Sequence, residues 1–104
     1  MVSGGSILRH VVLFGFKTDT SSDQLREIEE TLVGLKGSIP EIQSLEWGRD
    51  VSPEGKARGH THCFFLTFKS EVDRDAYLVH PDHVAFGQLV RPHVETVTVV
   101  DYWT

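Results

Sequence analysis

Three stretches of this chain are apolar on both sides of an extended backbone. In Ile7 to Lys17, Leu8, His10, Val12, Phe14 and Phe16 fall on one side, and Ile7, Val11 and Leu13 on the other. Thr61 to Lys69 repeats the pattern, with His62, Phe64, Leu66 and Phe68 opposite Cys63, Phe65 and Thr67. Val94 to Trp103 does the same, with Val94 and Val100 on one face and Val97 and Val99 on the other. A sheet with one wet face alternates apolar and polar residues. Strands like these need cover on both faces.

Ser21-Ser22-Asp23-Gln24 opens a helix with a capping-box pattern. Leu25, Ile28, Leu32 and Leu35 form its apolar stripe, Glu27, Glu29 and Glu30 are expected to face water, and Gly37 and Pro40 end it. Ile42 to Asp50 reads as a second strand, and Val51 to Gly59, with Pro53, Gly55 and Gly59, as a loop. Ser70 to about Val79 reads as a second helix that Pro81 interrupts, with a further helical turn or two to Val90.

The order is βαββαβ, which predicts an α+β, ferredoxin-like domain whose two helices cover one face of a four-stranded antiparallel sheet. Residues 7–104 make this domain, and residues 1–6 read as a loose N-terminal extension. No third layer remains in the chain for the second apolar face. A second copy supplies it most economically, sheet against sheet, and C2 dimers are the commonest closed assembly. The expectation is a homodimeric α+β barrel.

Charge narrows the partners. The net charge is −5, and the ten Lys and Arg residues are scattered. Binding to a phosphate backbone needs clustered cations, so neither nucleic acid nor an anionic membrane is an expected partner. No apolar run approaches the ~20 residues that span a bilayer, and the start lacks a secretory pattern. The expected compartment is the cytoplasm. The single cysteine, Cys63, lies beside Phe64 and Phe65 and reads as a small hydrophobe rather than a nucleophile.

The chain holds six histidines: His10, His60, His62, His80, His83 and His93. Histidine titrates near neutrality and is the usual general acid or base there. Tyr77-Leu78-Val79-His80-Pro81-Asp82-His83 brings a phenol and two imidazoles together, and Pro81 lets the second imidazole turn off the helical face. An imidazole can remove a proton next to a carbonyl while a phenol donates to the oxygen where charge develops. Alternatively, Tyr77 packs in the core and His80 and His83 cap the helix break. His10 and His62 lie on otherwise apolar strand faces, either as hydrogen-bonded core residues or as the polar spot of a small-molecule pocket. His60 and His62 share a strand face by spacing, but no zinc signature is present and no metal is expected. Asp82 and Asp101 read as solvated.

Leu8-Arg9-His10-Val11-Val12-Leu13-Phe14, Trp47-Gly48-Arg49-Asp50, Thr61-His62, the run from Tyr77 through His83 to Phe86, and Val100-Asp101-Tyr102 together resemble the stress-responsive A/B barrel family. The resemblance covers about residues 7–103. It implies a dimeric α+β barrel. Within the family the pattern is similar to a plant polyketide cyclase that performs an intramolecular aldol condensation. That similarity implies catalytic roles for Tyr77 and His83, a pocket lined by His10, His62 and His80, and no cofactor. Where that cyclase presents aromatic residues to its pocket, this chain has Ile28-Glu29-Glu30-Thr31-Leu32, and its late pocket tryptophan falls near Val94, which argues against an alkyl-resorcylic substrate. The expected activity is that of a cyclase, lyase or isomerase on a small carbonyl compound. The alternatives are a non-catalytic stress-associated dimer that binds a small molecule and, by fold analogy alone, a cofactor-free monooxygenase.

Overall fold

The computed structural model describes residues 6–104. All but Ser6 of the N-terminal extension lies outside the described residues. Strand β1 (Leu8–Phe16) is the hub, because its β-branched and aromatic residues pair on both sides. Next come α1 (Ser22–Ser38), β2 (Ser44–Arg49), β3 (His62–Phe68), α2 (Glu71–Val79), α3 (Pro81–Val90), a 3-10 turn (Arg91–His93) and β4 (Val94–Trp103). The sheet order is β2-β3-β1-β4, antiparallel throughout, which is the ferredoxin-like arrangement.

Caps explain the helix starts. Ser21 Oγ accepts the Gln24 N–H, and Gln24 Oε1 accepts the Ser21 N–H, so α1 begins with the expected capping box. The helix runs through Gly37, because the Ile39 N–H still donates to Leu35 and Ile39 is drawn fully into the core. Ser70 caps α2. His80 precedes proline, which disfavours helical backbone. It takes an extended conformation, and its Nδ1 accepts the Asp82 N–H at 3.0 Å, making it the N-cap of α3. Pro81 then sits where its missing N–H costs nothing. The segment after Pro81 is therefore a full ten-residue helix rather than a turn or two.

All three helices pack on one face of the sheet. The core joins Leu8, Val12 and Phe14 of β1 and Phe64, Leu66 and Phe68 of β3 to Ile28, Leu32 and Leu35 of α1, Tyr77 of α2, and Phe86 and Val90 of α3. Two expectations need correction. Ile42 is buried but precedes β2, because its N–H donates to Ile39 in a turn. Val94 does not share a face with Val100: a register shift at Gly15/Phe16 pairs Phe16 with Val94 and turns Val94 toward the core. Val97 and Val99 do lie on the helix side, opposite Phe14 and Val12.

The other face carries Val11, Leu13, Cys63 and Phe65, with Val100 and Tyr102 more exposed. The loop between β2 and β3 bends over its end. His60 Nε2 is bonded to the Thr96 and Thr98 hydroxyls, and the Thr61 N–H donates to Phe14. Gly15 permits the approach, since a β-carbon there would collide with the Gly59 carbonyl.

Candidate active site

The site lies between the sheet and the helices. A cavity of about 360 Å³ is walled by Val12, Phe14 and Leu66 from the sheet, Leu32 from α1, Phe86 from α3, and Val97 and Val99 at the rim. His10, Tyr77, His83, Arg74, Asp75 and Asp101 provide its polar end. A mainly apolar cleft with a few converging polar groups is the usual form of a small-molecule site. The part of α1 that faces it contributes Leu32 and no aromatic side chain.

Tyr77 comes from the last turn of α2 and His83 from the first turn of α3. The bend at His80-Pro81 brings the rings to 4.4 Å between centroids. His83 Nδ1 donates to the Leu78 carbonyl at 3.1 Å, which leaves Nε2 as the lone-pair nitrogen. Burial pushes the His83 imidazole below its ordinary value. The bond to Leu78 pulls the other way, and the nearby His10 adds to the lowering. His83 is thus neutral at neutral pH, the state of a general base. Burial pushes the Tyr77 hydroxyl up, so it stays protonated and can donate.

His10 stands across Tyr77, edge-on, with ring centroids 5.8 Å apart. Its Nδ1 is bonded to Asp101 Oδ1 at 2.7 Å, and Asp101 Oδ2 accepts from Arg74 Nη1 at 3.0 Å. Arg74 Nε reaches Asp75 Oδ1 at 3.0 Å. Among the described residues the one sealed side-chain polar atom without a partner is Thr20 Oγ1. His10 Nε2, Tyr77 Oη and His83 Nε2 are therefore not sealed orphans, and all three residues line the cavity. Asp101 is not a merely solvated carboxylate, since register places it opposite His10 and both its oxygens are engaged. Its signal in the sequence was its place after Val97 and Val99 on the same strand face. Arg74 gave no signal.

The structure brings His10, Tyr77 and His83 together and leaves His62 and His80 elsewhere. His80 is occupied as a helix cap. His62 is on the helix side of the sheet but at its other end, in a second polar cluster. His62 Nε2 donates to Glu29 Oε2 at 2.7 Å, and Nδ1 is bonded to the Thr61 hydroxyl. Trp47 stacks on the ring and Phe16 meets it edge-on. Arg49 grips the same Glu29 oxygen through Nη2 at 2.6 Å and Nε at 3.0 Å. Glu29 is buried, not in water as expected, because it sits four residues after Leu25 and three before Leu32, on the flank of their stripe. Burial alone would raise its carboxyl, but the bonds from His62 and Arg49 outweigh this and hold it below the usual value.

His60 and His62 do not share a face: β3 begins at His62, and His60 lies in the loop over the opposite side. Among the described residues no three His, Cys, Asp or Glu side chains converge as a metal-ligand set. Cys63 is half-buried on the open face. Burial and the Glu46 charge push its thiol up, away from the reactive thiolate.

Known proteins resemble this chain in sequence and in fold. The chain is 34% identical over 95 residues to olivetolic acid cyclase from Cannabis sativa, covering 91% of this chain and 94% of that protein. Its structure superposes on hydroxynitrile lyase from Passiflora edulis with a TM-score of 0.90 at 29% identity, covering 96% of this chain and 94% of that one. A ferredoxin-like protein of unknown function from Jannaschia sp. CCS1, described as dimeric, matches with a TM-score of 0.83 at 25% identity, over 94% of this chain and 99% of that one. The family model described as the stress responsive A/B barrel domain matches residues 8–104. The chain belongs to the stress-responsive A/B barrel family.

Proposed function

We propose that the protein is a cofactor-independent enzyme of the cyclase or lyase kind, acting on a small carbonyl compound in the cavity between sheet and helices. The observation that carries this reading is the pairing of a neutral, singly tethered imidazole, His83, with a protonated phenol, Tyr77, at the polar end of an apolar pocket. His83 Nε2 takes a proton from the carbon next to the carbonyl. The C–H bond electrons move toward the oxygen, where the Tyr77 hydroxyl donates to the developing charge. The resulting carbon nucleophile attacks a second carbonyl, whose oxygen takes the proton back from His83. In the reverse path His83 removes the hydroxyl proton, the carbon–carbon bond breaks and the released carbon takes up the proton. His10 Nε2 faces the same space and binds substrate. The names of two relatives, a cyclase and a lyase, agree with this chemistry. His62 and His80 fit structural roles better, as core partner and helix cap.

The working unit is a homodimer. The open sheet face presents Val11, Leu13, Phe65 and Val100 with no helical layer of the described residues over them, and a structural relative is described as dimeric. Sheet-to-sheet docking leaves each cavity on the outer, helix side of its own subunit.

Turnover of a panel of methyl ketones, β-dicarbonyls and cyanohydrins tests the reading. Wild-type protein should convert at least one class, and Tyr77→Phe should lower kcat about 100-fold, the usual loss on removing one donor to a developing oxyanion. Binding without turnover across the panel would favour the non-catalytic small-molecule binder.

A further inference from the structure

The charges around the cavity already neutralise one another. The charged side chains in its lining are Arg74, Asp75 and Asp101. Arg74 uses Nη1 on Asp101 and Nε on Asp75. Asp101 spends its other oxygen on His10. An entering carboxylate or phosphate would meet two carboxylates and a guanidinium bound to both of them. It would lose its water and gain, besides the Tyr77 hydroxyl, no unpaired cation to offset the loss, which is costly for a charge in an apolar pocket. A neutral carbonyl needs one donor, and Tyr77 supplies it. Beyond that end the walls are Val12, Leu66, Phe86 and other hydrocarbon.

We propose that the site selects neutral ketones or aldehydes with an apolar tail against carboxylates of the same size, and that the Arg74–Asp101 and Arg74–Asp75 pairs set this preference. At a packing density of roughly 0.74, the cavity's volume suits about 10–15 non-hydrogen atoms. This proposal rests on the Tyr77/His83 site and names its substrate class.

The matched probes are 4-phenyl-2-butanone and 3-phenylpropanoate, which differ only by a methyl group in place of a carboxylate oxygen. Each is titrated into the full chain and followed by NMR at the His83 and Tyr77 ring signals. The ketone should bind wild-type protein at least about tenfold more tightly, a difference of about 1.4 kcal/mol. Asp75→Asn removes one of the two negative charges that neutralise Arg74 without touching His10, and Asp101→Asn removes the other. Both should shrink the ketone preference, and Asp101→Asn should shrink it more. Tighter or equal binding of the carboxylate by wild-type protein at these signals would overturn the proposal and leave the pocket intact as the site. An unchanged preference in both variants would also overturn it. Failure of both probes to move either ring signal would overturn the proposal and the site together.

Discussion

The role proposed for His83 rests on where its two nitrogens point: the Leu78 carbonyl holds one, and the other is without a protein partner among the described residues. Because burial lowers its protonation point below the ordinary 6.5, the base stays unprotonated as pH falls through that value. The acid limb of the kcat/KM profile should therefore be centred below 6.5; a limb centred at or above 6.5 would show that another group is the base. The linkage has the same sign for stability. An unfolded chain protonates this histidine first, so its contribution is present above 6.5 and is lost as pH falls below it. His10 belongs with His83 by geometry, and its place on an apolar strand face made it a pocket candidate, but nothing local names its partner. Its partner Asp101 is 91 residues away and meets it only through strand register.

At the scale of elements, α1 is locked to the sheet by one carboxylate. Glu29 joins β3 through His62 and β2 through Arg49. Glu29→Ala would leave a buried imidazole and a guanidinium without their acceptor, and should cost about 3 kcal/mol in a urea melt. Its carboxyl is held below the usual range, so the stabilisation it brings is complete above the ordinary value of 4.5 and is lost as pH falls through the lower folded value. Gly15→Ala should cost about 1–3 kcal/mol, because the new β-carbon must push the Gly59 carbonyl and the loop off the sheet. Strands and caps were legible in the sequence, since alternation and the Ser21/Gln24 box are local signals. The burial of Glu29 was not, because charge reads as solvent exposure until the partners on other elements are known. The end of α3 at Val90 was legible but its start was not: a proline that breaks one helix can also open the next, and the outcome turned on His80 serving as the cap. The candidate site was legible in part for the same reason. The Tyr77–His83 run is local, whereas His62 and His80 share its residue type but not its place.

For the whole molecule, the two-faced strands that first constrained the fold still separate its two surfaces. The helix face holds the core and the cavity, and the open face is the one proposed to meet a second copy. Phe65→Asp, on that open face, should convert a dimer to a monomer in light scattering while leaving the secondary structure unchanged by circular dichroism; a monomeric wild-type protein at micromolar concentration would defeat the assembly proposed here. The cavity, lying on the far side of the sheet, makes a sharper demand: proton removal by His83 must occur with the assembly intact. Exchange of the α-protons of 4-phenyl-2-butanone in D2O, followed by NMR, measures that step without needing the natural substrate. Wild-type protein should accelerate the exchange, and His83→Asn should reduce the acceleration by about 100-fold or more while scattering as a dimer. Equal rates for the two proteins, or no acceleration by the wild type, would contradict a catalytic role for the Tyr77–His83 pair.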